Sequence, residues 1–260
     1  SIKTSRLVGK SNSSRVDKER HVLTSISNPN VIQLLAFCAQ PRALLAEWMD
    51  YCLFDCLHDE KDVLSPGFIQ PRLKIALDVA RGLEYLHRSN IVHRDIKSGN
   101  ILFNKDPIVA KIADLGEGRF FVDGVLDTIR HQVGTVLWRA PEINTENPDT
   151  SIATTKSDVY SFGCVLGELC SDELPNDKHP PFVLTGRTEG WPVDYLELAQ
   201  SCFLFDPKDR PVASKILDSL NEIYDDFEQQ LPPPSQCDSP ASSRTATYVT
   251  STLANDVYSL

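Results

Sequence analysis

Methionine is almost absent: Met49 is the only one in 260 residues, and the chain opens on Ser1. The expectation is a fragment, or a start that was processed or misplaced. Paired cysteines are absent too. The seven, Cys38, Cys52, Cys56, Cys164, Cys170, Cys202 and Cys237, are odd in number and none stands in a CxxC pair. A disulfide framework is thereby disfavoured and a reducing, cytoplasmic setting is expected. Cys52 and Cys56 lie four apart with no second ligand pair near them, which argues against zinc. Basic charge is short: 26 Lys and Arg face 36 Asp and Glu, a net charge of −10. A nucleic-acid partner is not expected, because phosphate backbones demand a basic footprint. No apolar run is long enough for a membrane span, and no secretory signal pattern is visible.

What is present is enough for a core. Hydrophobic residues make up 41% of the chain and charged ones 24%, so wholesale disorder is excluded. The length suits one large domain or two unequal lobes. Val31–Phe37 and Ala43–Trp48 read as strands, bounded by Asn-Pro-Asn and Gln-Pro-Arg. A helix is expected over Ser13–Ile26, capped by Ser13 or Ser14. From Pro71 to Asn90, Leu73, Ile75, Ala76, Val79, Ala80, Leu83 and Leu86 recur at helical spacing. Ser157–Cys170 is hydrophobic almost all round, the mark of a helix buried mid-domain. Further helices are expected near Asp194–Phe203 and Ala213–Phe227. From Leu231 the composition turns to Pro, Ser and Thr, and a disordered tail is expected.

Chemistry concentrates in two places. His93-Arg94-Asp95-Ile96-Lys97-Ser98-Gly99-Asn100 lies between a helix and the short apolar strand Ile101–Phe103. Within it Asp95 can accept a hydroxyl proton, Lys97 can neutralise a phosphate, and the Asn100 carbonyl can ligate a hard cation. The second is Lys111-Ile112-Ala113-Asp114-Leu115-Gly116, where a strand delivers an Asp ahead of a glycine. Asn100 and Asp114 form an oxygen-only pair suited to Mg2+, which completes its shell with water and phosphate.

These stretches, with three more, resemble the eukaryotic protein kinase catalytic domain. The others are Gly134-Thr-Val-Leu-Trp-Arg-Ala-Pro-Glu142, Lys156-Ser-Asp-Val-Tyr-Ser-Phe-Gly163 and Asp206-Pro-Lys-Asp-Arg-Pro211. All stand in the family's order over roughly Ser1–Phe227. The loops and Lys97 look most like the tyrosine-kinase-like group of serine/threonine kinases. The resemblance implies an α+β, two-lobed fold: a small N-lobe with an incomplete β-sheet and one helix, and a larger, mainly helical C-lobe. It divides the chain into an N-lobe with hinge over 1–49, a C-lobe over 50–228 and a tail over 229–260.

Carried over residue by residue, the resemblance implies ATP and Mg2+ as cofactors and proteins as substrates. Lys3 would hold the α- and β-phosphates and pair with Glu19. Asp95 would orient and deprotonate the substrate hydroxyl, Lys97 would steady the γ-phosphate, and Asn100 and Asp114 would bind the metal. The Glu47–Met49 backbone would meet adenine, with Ala46 at the gatekeeper position and Leu102 on the pocket floor, although a plain core leucine fits Leu102 nearly as well. A methyl at Ala46 would leave the rear pocket open to bulky ATP analogues. Leu23, Leu34, His93 and Leu115 match four stacked side chains linking the lobes, with Leu115 in place of the usual Phe. His93 is read as a packing group, not a base. The remaining histidines, His58 among them, are read as structural or solvated. Asp158 would support the catalytic loop, and Arg210 would pair with Glu142.

In the activation segment Thr128 is the only hydroxyl residue between Asp114 and Gly134, and Arg94 is suited to pair with a phosphate there. An unregulated loop is the equal alternative. Thr135 is expected to contact the catalytic loop. Two departures from the family stand out. The glycine-rich hairpin that precedes the lysine strand is missing, so weak ATP binding by the chain as it stands is expected. The stretch between Glu168 and Trp191 is short, with no clear amphipathic helix. The leading expectation is ATP-dependent phosphorylation of serine and threonine in proteins, and the alternative is a pseudokinase or scaffold. A small-molecule phosphotransferase of similar fold is disfavoured by the Ala-Pro-Glu segment and the Asp158 helix. Substrate, pathway and oligomeric state are not legible.

Overall fold

The computed structural model describes residues 13–39, 42–59, 63–64, 68–122, 125–126, 136–143, 153–176, 184 and 188–231. Lys3, Thr128, Thr135 and the tail hydroxyls fall outside the described residues. The chain divides into Ser1–Gln230 and Leu231–Leu260, and only Leu231 of the second unit is described.

Helix α1 (Ser13–Ser25) buries Val22 and Leu23 and packs against the turn Leu115–Glu117. Strands β1 (Leu34–Ala39) and β2 (Arg42–Ala46) pair antiparallel, with a register shift between Leu34 and Ala36. The apolar run expected as one strand from Val31 is split. Its front end joins the larger part of the molecule: Ile32 N–H donates to the Ile112 carbonyl at 2.9 Å, Ile112 N–H donates to the Asn30 carbonyl at 2.9 Å, and Val31 bridges Ile112 in parallel. Asn30 is buried and its Nδ2 donates to the Ala110 carbonyl at 3.0 Å. Gly82 allows this approach, because a Cβ there would sit 2.5 Å from the Asn30 carbonyl oxygen. The second strand stops at Ala46, where the chain crosses between lobes and Glu47 N–H donates to the Gln33 carbonyl.

Beyond the crossing, β3 (Tyr51–Cys52), β5 (Ile101–Lys105) and β6 (Ile108–Ile112) form an antiparallel sheet in the order β3-β5-β6. A second small sheet joins β4 (Ile91–Val92), β7 (Arg119–Val122) and β8 (Val125–Leu126). The rest of the described C-lobe is mainly helical: α2 (Leu53–His58), α3 (Ile69–Arg88), α4 (Thr155–Ser171), α5 (Val193–Cys202) and α6 (Ala213–Gln230).

Helix α3 begins two residues before Pro71, which therefore occupies the first turn, where a missing N–H costs nothing. It ends with Asn90 in the left-handed region, φ 57°, and the Asn90 N–H on the His87 carbonyl. Helix α4 starts from a reciprocal cap: the Thr154 side chain accepts from the Lys156 N–H, and the Ser157 hydroxyl accepts from the Thr154 N–H. Its residues are buried from Ser157 to Ser171 except half-buried Ser161, as its all-round hydrophobicity requires. Gly163 lets α5 close on it, since a Cβ there would lie 2.7 Å from Cys202 Cβ. Among the described residues between Asp172 and Trp191 there is no helix.

Candidate active site

Buried β4 feeds directly into the loop that begins at His93. His93 is fully buried, with Nε2 3.1 Å from the Ala113 carbonyl and Nδ1 accepting from the Asp95 N–H at 3.2 Å. A carbonyl can only accept and an N–H can only donate, so the proton sits on Nε2 and the ring is neutral. Both nitrogens are committed to holding the loop, which agrees with a packing role.

Beneath the loop lies Asp158, 1% exposed at the start of α4. Its Oδ2 accepts from the His93 N–H and its Oδ1 from the Arg94 N–H, both at 2.8 Å, and His87 Nε2 stands 3.0 Å from Oδ2. These bonds hold Arg94 at φ 73°, a left-handed conformation that a side chain disfavours. The strain aims the next residue, Asp95.

The Asp95 carboxylate is mostly buried. Its Oδ2 accepts from Lys97 Nζ at 2.8 Å and from Asn100 Nδ2 at 2.9 Å. Asn100 Nδ2 also donates to the Asp95 carbonyl at 2.7 Å. The amide nitrogen of Asn100 thus faces Asp95, which leaves Oδ1 as the end that could meet a cation. The β5–β6 hairpin brings the second motif alongside, with Ala113 N–H donating to the Asn100 carbonyl at 2.8 Å. Asp114 follows at once, in the left-handed region at φ 58°, its Oδ1 accepting from the Gly116 N–H. One amide oxygen and one carboxylate suit a hard divalent cation that draws its other ligands from phosphate and water.

At the small-lobe side, Ala46 and Leu102 are half-buried and Met49 is buried. The Glu47 carboxylate takes Lys111 Nζ at 2.6 Å and the Gln33 N–H at 2.8 Å. With its own N–H given to the Gln33 carbonyl, the Glu47 backbone can offer a ligand only its carbonyl. Glu19 is half-buried on α1. Leu23, His93 and Leu115 are buried, and Leu34 packs on the same core.

Arg210 is a fully enclosed guanidinium. Nη1 and Nη2 donate to the two Glu142 oxygens at 2.7 and 2.8 Å, Nε donates to the Leu204 carbonyl, and the Lys156 and Phe205 carbonyls take the remainder. The fork-to-fork geometry fixes the segment Pro141–Ile143 to the C-lobe.

One cluster was not anticipated. Glu168, on buried α4, meets His58, Ser98 and Trp138. An acidic side chain inside a helix that is apolar all round was the available signal. Its partners are 30 to 110 positions distant and could not be read from the helix itself.

Such a loop, amide–carboxylate pair and supporting helix are the arrangement expected of the two-lobed phosphotransferase class. The protein kinase domain model matches residues 1–220, and the chain belongs to the protein kinase family. It is 32% identical over 222 residues to a probable serine/threonine-protein kinase of Dictyostelium discoideum, covering 81% of this chain and 36% of the relative. Against the serine/threonine-protein kinase STY17 of Arabidopsis thaliana it is 32% identical, covering 79% of this chain and 37% of the relative. Against the serine/threonine/tyrosine-protein kinase HT1 of the same plant it is 32% identical, covering 81% and 55%. The chain therefore spans little more than a third of the first two relatives' length.

Proposed function

We propose that this chain transfers the γ-phosphate of ATP to serine and threonine hydroxyls of protein substrates. The observation that carries the reading is the loop itself: Asp95 clamped between Lys97 and Asn100, with Ala113–Asp114 hydrogen-bonded alongside. The relatives named as serine/threonine kinases support the acceptor class.

In this reading Asp95 receives the incoming hydroxyl and takes its proton as the oxygen attacks phosphorus. Lys97 already reaches the Asp95 carboxylate, so a γ-phosphate aligned with that hydroxyl lies within its range. Asn100 Oδ1 and Asp114 would hold Mg2+, which when bound neutralises charge on the phosphates. Lys3 and Glu19 would form the pair that holds the α- and β-phosphates, and the Glu47–Met49 backbone would bind adenine beside Ala46 and Leu102. Thr128 would be the phosphorylated residue of the activation segment, with Arg94 as the cation suited to pair with its phosphate. The rate derives from positioning and charge placement, not from a covalent enzyme intermediate. The odd cysteine count with no CxxC pair favours a reducing, cytoplasmic setting.

The test is transfer of labelled γ-phosphate from ATP, with Mg2+, to a mixed protein substrate, followed by analysis of the phosphorylated amino acids. Label on serine and threonine, lost at least a thousandfold in Asp95→Asn, is expected. Label that persists at the wild-type rate in Asp95→Asn, or that appears only on small molecules, would overturn the reading.

A further inference from the structure

A cavity of about 180 Å³ lies against the segment that follows α1. Exposed Ser27, Pro29 and Gln33 form its rim, and buried Val31 and Ile32 with the mostly buried Lys111 form its floor. None of the residues placed above around ATP, metal or the substrate hydroxyl lines it. Its walls are fixed before anything enters. The Ser27 N–H donates to the Tyr85 hydroxyl of α3 at 3.0 Å, the Asn30 N–H to Asn28 Oδ1 at 2.8 Å, and the Val31 N–H to the Asn28 carbonyl at 3.2 Å. A ligand therefore meets a shaped surface and need not order a loose loop.

Size and polarity limit the ligand. A cavity of about 150 Å³ is enough to take a benzene ring, so this one holds a single six-membered ring with a short substituent. The polar groups that line it have donors to spare. Asn28 spends its Oδ1 on the Asn30 N–H, which leaves the Nδ2 end of the amide. The Lys111 ammonium carries three N–H donors, and among the described residues its one partner is the Glu47 carboxylate at 2.6 Å. Glu47 also sets the charge. Its carboxylate already neutralises Lys111, so a second carboxylate brought to the same ammonium would be repelled by the first. What fits is an uncharged acceptor on an apolar ring, the ring against Val31 and Ile32 and the acceptor toward Lys111.

We propose that this cavity is a second small-molecule site, separate from the nucleotide cleft, which takes an uncharged monocyclic aromatic carbonyl compound through the spare donors of Lys111. The inference stands apart from the kinase reading, since no group it uses handles phosphate. Binding is modest because the ligand is small: with nine non-hydrogen atoms, a dissociation constant of about 1 mM or somewhat tighter is expected.

The experiment titrates the full chain with acetophenone, which offers a carbonyl and no N–H or O–H, and with benzoate, which has the same ring and a negative charge. Ligand-observed saturation-transfer NMR reads the binding, and thermal unfolding confirms that each variant is folded. Wild type is expected to bind acetophenone near 1 mM and benzoate at least about tenfold more weakly. Lys111→Met keeps the length of the side chain and removes its donors, so it is expected to weaken acetophenone about tenfold, the size of one hydrogen bond to a charged group. Ile26→Phe leaves the Lys111–Glu47 pair intact and fills the cavity from its lining, since Ile26 borders it; it is expected to abolish binding, and it decides the matter alone if Lys111→Met does not fold. No saturable binding up to about 10 mM, benzoate as tight as acetophenone, or acetophenone binding unchanged in a folded variant overturns the inference. A chain that binds acetophenone as expected but transfers no phosphate keeps this site and loses only the kinase reading.

Discussion

Asp158→Asn tests most directly how the catalytic loop is held. The wild-type carboxylate accepts two backbone N–H groups at 2.8 Å and contacts His87, all under cover of α4. An asparagine keeps one acceptor and turns an N–H toward the other donor. One bond to a charged acceptor is lost, about 1.5–3 kcal/mol, and a buried N–H is left unsatisfied, about 1–3 kcal/mol. The left-handed Arg94, φ 73°, strained by about 1–2 kcal/mol, then has less to hold it. A loss of about 3–5 kcal/mol follows, which for a domain of this size lowers the unfolding midpoint by roughly 10 °C. Once Arg94 relaxes, Asp95 moves with it, and a displacement of about 1 Å costs on the order of a hundredfold in rate. The assay pairs thermal unfolding with phosphate transfer well below the midpoint. The comparator is Asp78→Asn. Asp78 is equally buried, but it ties α3 to the Ala110 N–H and to Lys74 and Arg81, away from the loop. Both variants should melt early, and only Asp158→Asn should lose kcat at the permissive temperature. Equal kcat in the two folded variants would refute the claim that Asp158 aims the base.

Three further outcomes are expected. Glu142→Ala strands the Arg210 guanidinium, whose side chain is 0% exposed, and should cost about 3–5 kcal/mol, while Glu142→Ala with Arg210→Met should cost less than Glu142→Ala alone; denaturant unfolding measures both. Because burial raises the Glu168 pKa, the folded state holds that proton more tightly than the unfolded chain. Its contribution is thus full below the ordinary glutamate range and is lost as pH rises through the raised value. Stability profiles of the wild type and Glu168→Gln should differ in slope across that window, and parallel profiles would contradict it. Among the described cysteines, burial pushes the Cys164 thiol well up and those of Cys170 and Cys202 up to about 12. Native alkylation followed by peptide mapping should mark exposed Cys38 first and spare these three until the chain unfolds.

Local chemistry was readable where its partners are local. Asp95, Lys97 and Asn100 fall within one tight loop, so their spacing announced their meeting, and Asp114 needed only the hairpin between Ile101 and Ile112 to arrive. Helices α3, α4 and α6 were visible from apolar spacing, with ends shifted by one to three residues by the Thr154 cap, by Pro71 in a first turn and by polar residues after Phe227. Long-range pairing was not readable. The run from Val31 looks like one strand, because hydrophobicity states that a segment is buried without naming its neighbour. Ile112, eighty positions away, divides it. The union of Glu168 with His58 and Trp138, and the tautomer of His93, likewise depend on groups that only the folded chain assembles.

Asn30 and Gly82 set the mechanics of any nucleotide-driven closure. The segment after α1 is seated against the Gly82 backbone and laced to Ala110 and Ile112, so it travels with the large lobe although sequence order places it in the small one. A rocking small lobe therefore swings on two fixed points, the Asn30 seat behind and the Glu47–Met49 crossing, as a door swings on paired pins. A bulkier side chain at position 82 would lift one pin and misalign the door without touching a single group that handles phosphate.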